Sequence, residues 1–215
     1  MYTKTKISES RATSIAFELY GIKGRAVSLP GEVDLNYRIK TVSESYLLKI
    51  GRPRADTAIL EFQQKILQHV ALSDPEIISP VPLPDLQGSY ISETRDDAGN
   101  IRQVRLLTWV EGRLWSSVNP ITNHLLHSLG KEAGRLTNTL QGFEHPQANR
   151  SYEWDVAQAG WTREYEHLFS GEKQEILRYF SEQFENLQEV YATLRKSVVH
   201  SDVNDFNIVV TDDLL

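Results

Sequence analysis

Residue patterning changes near residue 112, and this change constrains the fold more than any other feature of the sequence. Before that point, short strand-like segments surround one helical segment, whereas three long amphipathic segments and one final strand-like run follow it. The pattern predicts an α+β chain with two lobes, a β-rich lobe over residues 1–111 and a mostly helical lobe over residues 112–215.

Strand patterns dominate the first predicted lobe. Turn-forming residues separate short strand-like segments, which is typical of antiparallel neighbours. One stretch has apolar residues at helical spacing instead, and it predicts a single helix over residues 56–71. The five predicted strands cover residues 26–29, 35–41, 45–50, 89–94 and 101–111.

Helical patterns dominate the second predicted lobe. Pro120 stands where a first helix would begin and Gly142 where it would end. A second helix is predicted over residues 152–169. A third, over residues 172–197, repeats apolar residues along one face, which is typical of an amphipathic helix packed on a core.

Composition narrows the possible functions. The chain has no cysteine, which excludes a disulfide framework, a thiol nucleophile and a cysteine-built metal site. Its 23 Lys and Arg against 29 Asp and Glu give a net charge of −6, and no basic run marks a nucleic-acid surface. The apolar runs are too short to span a membrane, and the N-terminus lacks the apolar core of an export signal. We therefore expect a cytoplasmic protein that binds neither nucleic acid nor a membrane.

The segment VVHSDVNDFNIVV, residues 198–210, carries the sharpest chemical signal. Asp202 follows His200 by two residues, and Asn207 lies five beyond Asp202, which is the catalytic-loop spacing of protein-kinase-like phosphotransferases. In that chemistry the carboxylate orients the attacking hydroxyl, and the Asn oxygen binds Mg²⁺, a hard cation that prefers oxygen ligands. The alternative is a polar turn between two strands, in which these residues have no chemical role.

Lys49 is the candidate for the lysine that such a site needs on its third strand. In SYLLKI the residues Tyr46, Leu48 and Ile50 share one apolar face, so Lys49 points to the other side. It would line a cleft there. The alternative is an ordinary solvated lysine.

These segments resemble the aminoglycoside phosphotransferase-like kinases, and within them the hydroxylysine-kinase-like branch. The similarity covers nearly the whole chain. It rests on LPGEVDLNYRI (29–39), YLLKI (46–50), LLTWVEG (106–112), HPQANRSYEWD (145–155) and HSDVNDFN (200–207). The resemblance implies a protein-kinase-like bilobal fold with a five-stranded antiparallel sheet and one helix in its first lobe.

The resemblance also implies the reaction. A kinase of this kind transfers the γ-phosphate of ATP or GTP to a hydroxyl of a small acceptor, here an amino alcohol or a hydroxy-amino acid, with Mg²⁺. A nucleotide-binding regulatory module without transfer activity is the alternative. A protein kinase fits less well, because only Gly31 of the glycine-rich motif is present and Ser201 stands where protein kinases usually have Arg.

Site roles follow from the resemblance, position by position. Asp202 matches the catalytic carboxylate, Asn207 a magnesium ligand, and Lys49 the lysine on the phosphates. The nucleotide would also be bound by Gly31 and Asn36 in a hairpin over the phosphates (29–37), and by the Thr108 carbonyl and Val110 amide at the hinge.

Gln63 is a departure from the family, which usually pairs its lysine with a helix Glu. Gln63 shares a helix face with Ile59, Ile66 and Val70, whereas Glu61 lies on the opposite side. We therefore align Gln63 with the usual Glu and expect Glu61 to be solvated. An amide can still hydrogen-bond Lys49, but it gives up the ion pair.

The second magnesium ligand of the family would lie beyond Leu215. We accordingly expect the chain to be the N-terminal part of a longer protein and, by itself, to be inactive. Some members of the branch are covalently joined to a class III aminotransferase-like domain that uses pyridoxal phosphate, and such a domain is the implied partner here.

Overall fold

The computed structural model describes residues 7–152 and 154–211. Residues 1–6, 153 and 212–215 of the two predicted lobes lie outside this description. The chain forms two compact units. The sheet unit contains residues up to Phe143 and from Val198 onward, and the helical unit is Glu144–Ser197.

The sheet unit is built on one antiparallel sheet of six strands. Its strands are β1 (Arg25–Leu29), β2 (Leu35–Lys40), β3 (Ser45–Ile50), β4 (Pro82–Leu83), β5 (Ser92–Arg95) and β6 (Ile101–Thr108). The order is β1-β2-β3-β6-β4, with β5 also paired to β6. The α+β class is as predicted.

The sixth strand, β4, lies in a proline-rich segment that offers no strand pattern in the sequence. Val81 makes the pairing possible, because its carbonyl accepts a hydrogen bond from the Thr108 amide at 2.9 Å and its own amide donates to Thr108 Oγ1 at 2.9 Å. Pro82, which has no amide hydrogen, then continues the ladder opposite Leu107 at the sheet edge.

Helix α1 (Glu9–Tyr20) covers one face of the sheet, and the sequence patterns did not predict it. Ser8 caps its first turn by accepting a hydrogen bond from the Arg11 amide. Ile15 is buried in one cluster with Leu48 and Ile50 of β3. The apolar face of β3 is thus covered by α1, and Lys49 belongs to the opposite face, as the alternation predicts.

Two further helices belong to the sheet unit. Helix α2 (Thr57–Ser73) matches the predicted helix, and Asp56 caps it by accepting a hydrogen bond from the Ala58 amide. Helix α3 (Asn123–Thr139) lies between Pro120 and Gly142, as predicted.

The chain enters α3 from a second, small sheet. Strands β7 (Arg113–Leu114) and β8 (Val209–Val210) pair antiparallel. Trp115, Leu125 and Val210 form a separate buried cluster beside them, which joins this sheet to the start of α3.

The helical unit differs from its prediction in two places. Residues Val156–Leu168 form a 3₁₀ segment where an α-helix was expected. The last predicted helix is divided at Leu187 into α4 (Glu172–Asn186) and α5 (Gln188–Thr193). The Leu187 amide bonds the carbonyls of both Gln183 and Phe184, a tightened final turn that ends α4. In the described parts of the chain, no helix is both long and apolar enough to cross a membrane.

Candidate active site

A row of three polar side chains crosses the sheet on the face opposite α1. Asn36 of β2 is the register partner of Lys49 on β3, and Lys49 is in turn the partner of Arg105 on β6. Paired residues on neighbouring strands project from the same face. Strand pairing therefore brings two cations and an amide side by side.

Lys49 lies next to a carboxylate from the β1–β2 hairpin. Its Nζ is 3.5 Å from Asp34 Oδ2, and its side chain is 26% exposed. Burial lowers the pKa of the Lys49 ammonium; the Asp34 carboxylate opposes this effect, and the Arg105 guanidinium adds to it. Lys49 is thus a partly desolvated cation with one acidic neighbour.

Arg105 is the most buried charge of this cluster, with a side chain only 3% exposed. Its Nη2 donates to Asp34 Oδ2 at 2.6 Å, and its Nη1 donates to Gln63 Oε1 at 2.6 Å. Burial lowers the pKa of the guanidinium and Asp34 opposes that effect. An arginine remains protonated in such a site, so its charge requires the Asp34 carboxylate.

Gln63 projects from α2 toward the cluster, but its hydrogen bond goes to Arg105. Its connection to Lys49 runs through Arg105 and Asp34. Gln63 and Glu61 are both exposed, so burial does not distinguish them. Neither Arg105 nor Asp34 was singled out from the sequence. The available signal for Arg105 was a charged residue inside the apolar run VRLL.

The hairpin before β2 is closed around Gly31 and Asn36. Asn36 Nδ2 donates to the Pro30 carbonyl at 3.1 Å. A Cβ at Gly31 would overlap Asn36 Nδ2 and lie 2.6 Å from the Asp34 carbonyl oxygen, so the turn excludes larger residues. Asn36 Oδ1 is buried with no hydrogen-bond partner in the described parts of the chain.

The predicted hinge, residues 106–112, begins within β6 and continues past its end at Thr108. Thr108 uses its amide and its Oγ1 to hold Val81. The Val110 amide donates no hydrogen bond to any described residue. It is therefore available to donate to a purine base. The Arg38 guanidinium lies over the ring of the neighbouring Trp109, 4.3 Å from its centroid, a cation–π contact between β2 and the predicted hinge.

Gly112 lets the end of the predicted catalytic loop return against the predicted hinge. Its φ of 135° favours glycine, and a Cβ there would lie 2.7 Å from the Val210 carbonyl oxygen. Past the glycine, the Trp115 amide bonds the Ile208 carbonyl at 2.9 Å and the Ser116 amide bonds the Asp205 carbonyl at 3.0 Å. The loop from His200 to Asn207 is therefore anchored to the residues that leave the hinge.

Within this loop the two carboxylate oxygens of Asp202 both accept hydrogen bonds from side-chain amides. Asn207 Nδ2 donates to Oδ2 at 2.7 Å and to the Asp202 carbonyl at 3.0 Å. Asn204 Nδ2 donates to Oδ1 at 2.6 Å. The Asp202 amide donates to His200 Nδ1 at 3.3 Å, across Ser201, whose φ is 64°.

The donor set of this loop suits a hard cation. Asn207 directs its amide nitrogen at Asp202, and its Oδ1 accepts no hydrogen bond within the described residues. Carboxylate and amide oxygens are the ligands that Mg²⁺ takes from proteins. Residues 7–152 and 154–211 contain no group of three or more His, Asp or Glu side chains arranged for a metal.

The predicted site residues thus form two groups. Lys49, Gln63 and Asn36 lie around Arg105 on one face of the sheet. Asp202 and Asn207 are hydrogen-bonded to each other in the 200–207 loop. Both groups belong to the sheet unit. No hydrogen bond or ion pair connects them within the described residues, so their convergence on one nucleotide stays a prediction.

Relatives with known activity match most of the chain. It is 29% identical to hydroxylysine kinase of Xenopus laevis and 26% identical to hydroxylysine kinase of Bos taurus, over 96% and 97% of its own length. It spans 60% of the length of each of these proteins.

Solved structures share the fold. The amicoumacin kinase hAmiN, determined with AMP-PNP, Ca²⁺ and Ami, aligns with 97% of this chain and 62% of its own, with a TM-score of 0.68 and 19% identity. A spectinomycin phosphotransferase, determined with ADP, aligns with 96% of this chain and 66% of its own, with a TM-score of 0.55 and 14% identity. The predicted kinase-like α+β fold is confirmed by these neighbours.

A sequence profile shows which residues of the chain match a known family. The profile of the phosphotransferase enzyme family matches residues 26–215, which contain β2 to β8, all but the first residue of β1, and both groups of predicted site residues. The chain therefore belongs to the phosphotransferase enzyme family.

Proposed function

We propose that the chain is part of a small-molecule kinase that transfers the γ-phosphate of ATP or GTP to a hydroxyl of an amino alcohol or hydroxy-amino acid. The observation that carries this proposal is the Asp202 carboxylate, oriented by Asn204 and Asn207 in a loop anchored behind the hinge. The two hydroxylysine kinases among its relatives support the acceptor class.

The proposed reaction is a direct in-line transfer. The acceptor oxygen bonds to the γ-phosphorus while the bond from that phosphorus to the β–γ bridging oxygen breaks. The hydroxyl proton passes to the Asp202 carboxylate, which also holds the acceptor in the attacking orientation. Such catalysis depends mainly on positioning and on electrostatic stabilisation.

Cations would balance the charge of the nucleotide. Lys49 would contact the phosphates below the 29–37 hairpin, in which Gly31 permits the tight turn and Asn36 closes it. Mg²⁺, when bound, would supply further positive charge at the phosphates. Asn207 would hold it through Oδ1.

The base would be bound at the hinge. In this proposal the Val110 amide donates a hydrogen bond to the purine, and the Thr108 carbonyl accepts one from it. Structures of related kinases with AMP-PNP and ADP support an adenine nucleotide, and the proposal retains ATP or GTP as donor.

Two wider elements of the proposal rest on sequence alone. We place the protein in the cytoplasm, and we expect its gene product to carry a covalently joined aminotransferase-like domain that uses pyridoxal phosphate. The mass of the purified full-length protein, and its absorbance after addition of pyridoxal phosphate, would test the second element.

Asp202→Asn in the full-length protein tests the proposed catalytic role. Labelled nucleoside triphosphate, Mg²⁺ and a panel of amino alcohols and hydroxy-amino acids are the reactants. We expect transfer to fall about 10²- to 10⁴-fold, with nucleotide affinity nearly unchanged, because the carboxylate acts on the acceptor.

Asp97→Asn is the matched control. This exposed carboxylate lies in the β5–β6 turn and makes no side-chain hydrogen bond or ion pair within the described residues, so its loss should leave transfer unchanged. If the wild-type protein binds nucleotide at micromolar concentration but phosphorylates no acceptor, the regulatory-module alternative replaces this proposal. Full activity in Asp202→Asn would reject the assigned catalytic residue.

A further inference from the structure

The acidic neighbour of Lys49 comes from the β1–β2 hairpin and not from helix α2. Asp34 Oδ2 lies 3.5 Å from Lys49 Nζ, while the α2 residue on the facing side, Gln63, bonds Arg105. Although Gln63 carries no charge, Lys49 therefore still has an ion pair, and its acidic partner comes from the hairpin.

Arg105 fixes the position of this carboxylate. The guanidinium is a planar, rigid fork, and its two terminal nitrogens bond Asp34 and Gln63, each at 2.6 Å. The spacing between the hairpin carboxylate and the α2 amide is therefore set by one buried side chain. Since an unpaired buried guanidinium would be costly, Asp34 is held more firmly by Arg105 than by Lys49.

The difference between the two contacts allows Lys49 to serve two partners. The contact of Asp34 with Arg105 is 2.6 Å long and that with Lys49 is 3.5 Å long. Lys49 can thus turn its remaining N–H donors toward a phosphate while Asp34 stays in place on Arg105. Two cations and one carboxylate leave a net charge of +1 in the cluster, which favours a polyphosphate.

We propose that Asp34 is the positioning carboxylate for Lys49, and that Arg105 transmits the position of α2 to it through Gln63. This inference rests on the proposed function, because it assigns to Lys49 the phosphates of a nucleotide. It adds two positioning residues, Asp34 and Arg105, to the site.

The first test measures Lys49 directly, without nucleotide and without turnover. In ¹³C-methylated protein, the NMR titration of the Lys49 amine gives its pKa. Asp34→Asn should lower that pKa, because burial and Arg105, which both disfavour the ammonium form, would then act without the opposing carboxylate. Glu61→Gln, which removes an exposed acid from the far side of α2, should leave it unchanged.

The second test measures transfer by the full-length protein. Asp34→Asn should lower kcat/KM for the nucleotide about 10- to 100-fold, the cost of a misplaced catalytic group, while Glu61→Gln should change it less than about twofold. Asp34→Glu keeps a charge partner for Arg105 and should fold even where the Asn variant does not. Its longer side chain displaces the carboxylate, so kcat/KM should fall in the same direction.

The outcomes separate this inference from the proposed function. Absence of transfer in the wild-type protein would reject the function, and the Lys49 titration would still decide whether Asp34 controls the amine. If the pKa of Lys49 in Asp34→Asn equals that of wild type, or if Asp34→Glu keeps full kcat/KM, Asp34 does not position Lys49.

Discussion

The sheet unit and the helical unit bury their apolar side chains to very different degrees. Ile39, Leu48 and Ile50 of the sheet are completely buried. In the helical unit, by contrast, Phe180 is 64% exposed and Leu187 is 56% exposed, and no residue of α4 or α5 is buried. Both units have amphipathic patterning, but only in the sheet unit are the apolar side chains buried in a core.

This difference matters because every predicted site residue belongs to the sheet unit. Lys49 stands between two completely buried residues of β3, so its backbone is fixed by packing. Asp202 and Asn207 are held by the β7–β8 sheet and its buried cluster. Site geometry of this kind requires a rigid supporting structure, and the buried core of the sheet unit supplies it.

Truncation of one apolar side chain in each unit should give the largest difference in the free energy of unfolding. Leu48→Ala should lower the free energy of unfolding by about 2–5 kcal/mol, because it leaves a cavity between the sheet and α1. Phe180→Ala in the helical unit should change it by no more than about 0.5 kcal/mol. Urea denaturation followed by circular dichroism measures both, and equal losses would contradict the comparison.

Two glycines provide the next largest contrast. Gly112→Ala should destabilise the protein by about 1–3 kcal/mol, because φ is 135° and the new Cβ would meet Val210. Gly160 in the helical unit has no positive φ, and a Cβ added there would meet no atom within 4 Å, so Gly160→Ala should be neutral or slightly stabilising. Thermal melting of the two variants checks the order. A destabilising Gly160→Ala beside a neutral Gly112→Ala would be inconsistent with it.

Acid should weaken the sheet unit through one buried carboxylate. Burial raises the pKa of Asp96, but hydrogen bonds from Asn100 and Arg102 outweigh burial and lower the pKa from its ordinary value of 3.8 to about 2. The folded-state pKa is depressed, so this stabilisation is present above pH 3.8 and is lost as the pH falls through 2.

Urea denaturation between about pH 4 and pH 2 measures this smallest effect. Asp96→Asn should flatten the decline in stability over that range, because the variant has no carboxylate to protonate. Glu185→Gln removes the exposed ion pair with Arg163 in the helical unit and should leave the decline unchanged. An unchanged decline in Asp96→Asn would show that other groups cause it.

Local patterns in the sequence singled out several residues of the candidate site, and their roles stay predictions. The spacing of Asp202 and Asn207 placed both in one predicted catalytic loop, and the structure adds that their side chains are 2.7 Å apart. Alternation along β3 predicted the face of Lys49, and helical periodicity placed Gln63 on the side of α2 from which it reaches Arg105, although Gln63, like Glu61, is exposed. These properties depend on neighbours within one loop, strand or helix, so short-range periodicity contains them.

Helix α1 was missed because two of its four buried residues, Ala12 and Ala16, are small. Ala12 and Ala16 are completely buried, yet they contribute little apolar character to a segment that also carries Arg11, Thr13 and Ser14. Small side chains become favourable only where another surface approaches closely. That surface, the Leu48 face of β3, lies far along the chain from α1.

The sequence by itself determined the α+β class, most of the strands, helix α2 and the two chemical motifs, since each follows from residue order over a few positions. Only the tertiary structure decided that Lys49 pairs with Asp34 and that Arg105 joins this carboxylate to Gln63. Arg105 is 71 residues from Asp34 and 42 from Gln63. Contacts over such separations depend on the register of β2, β3 and β6, and that register results from the packing of the whole sheet against α1.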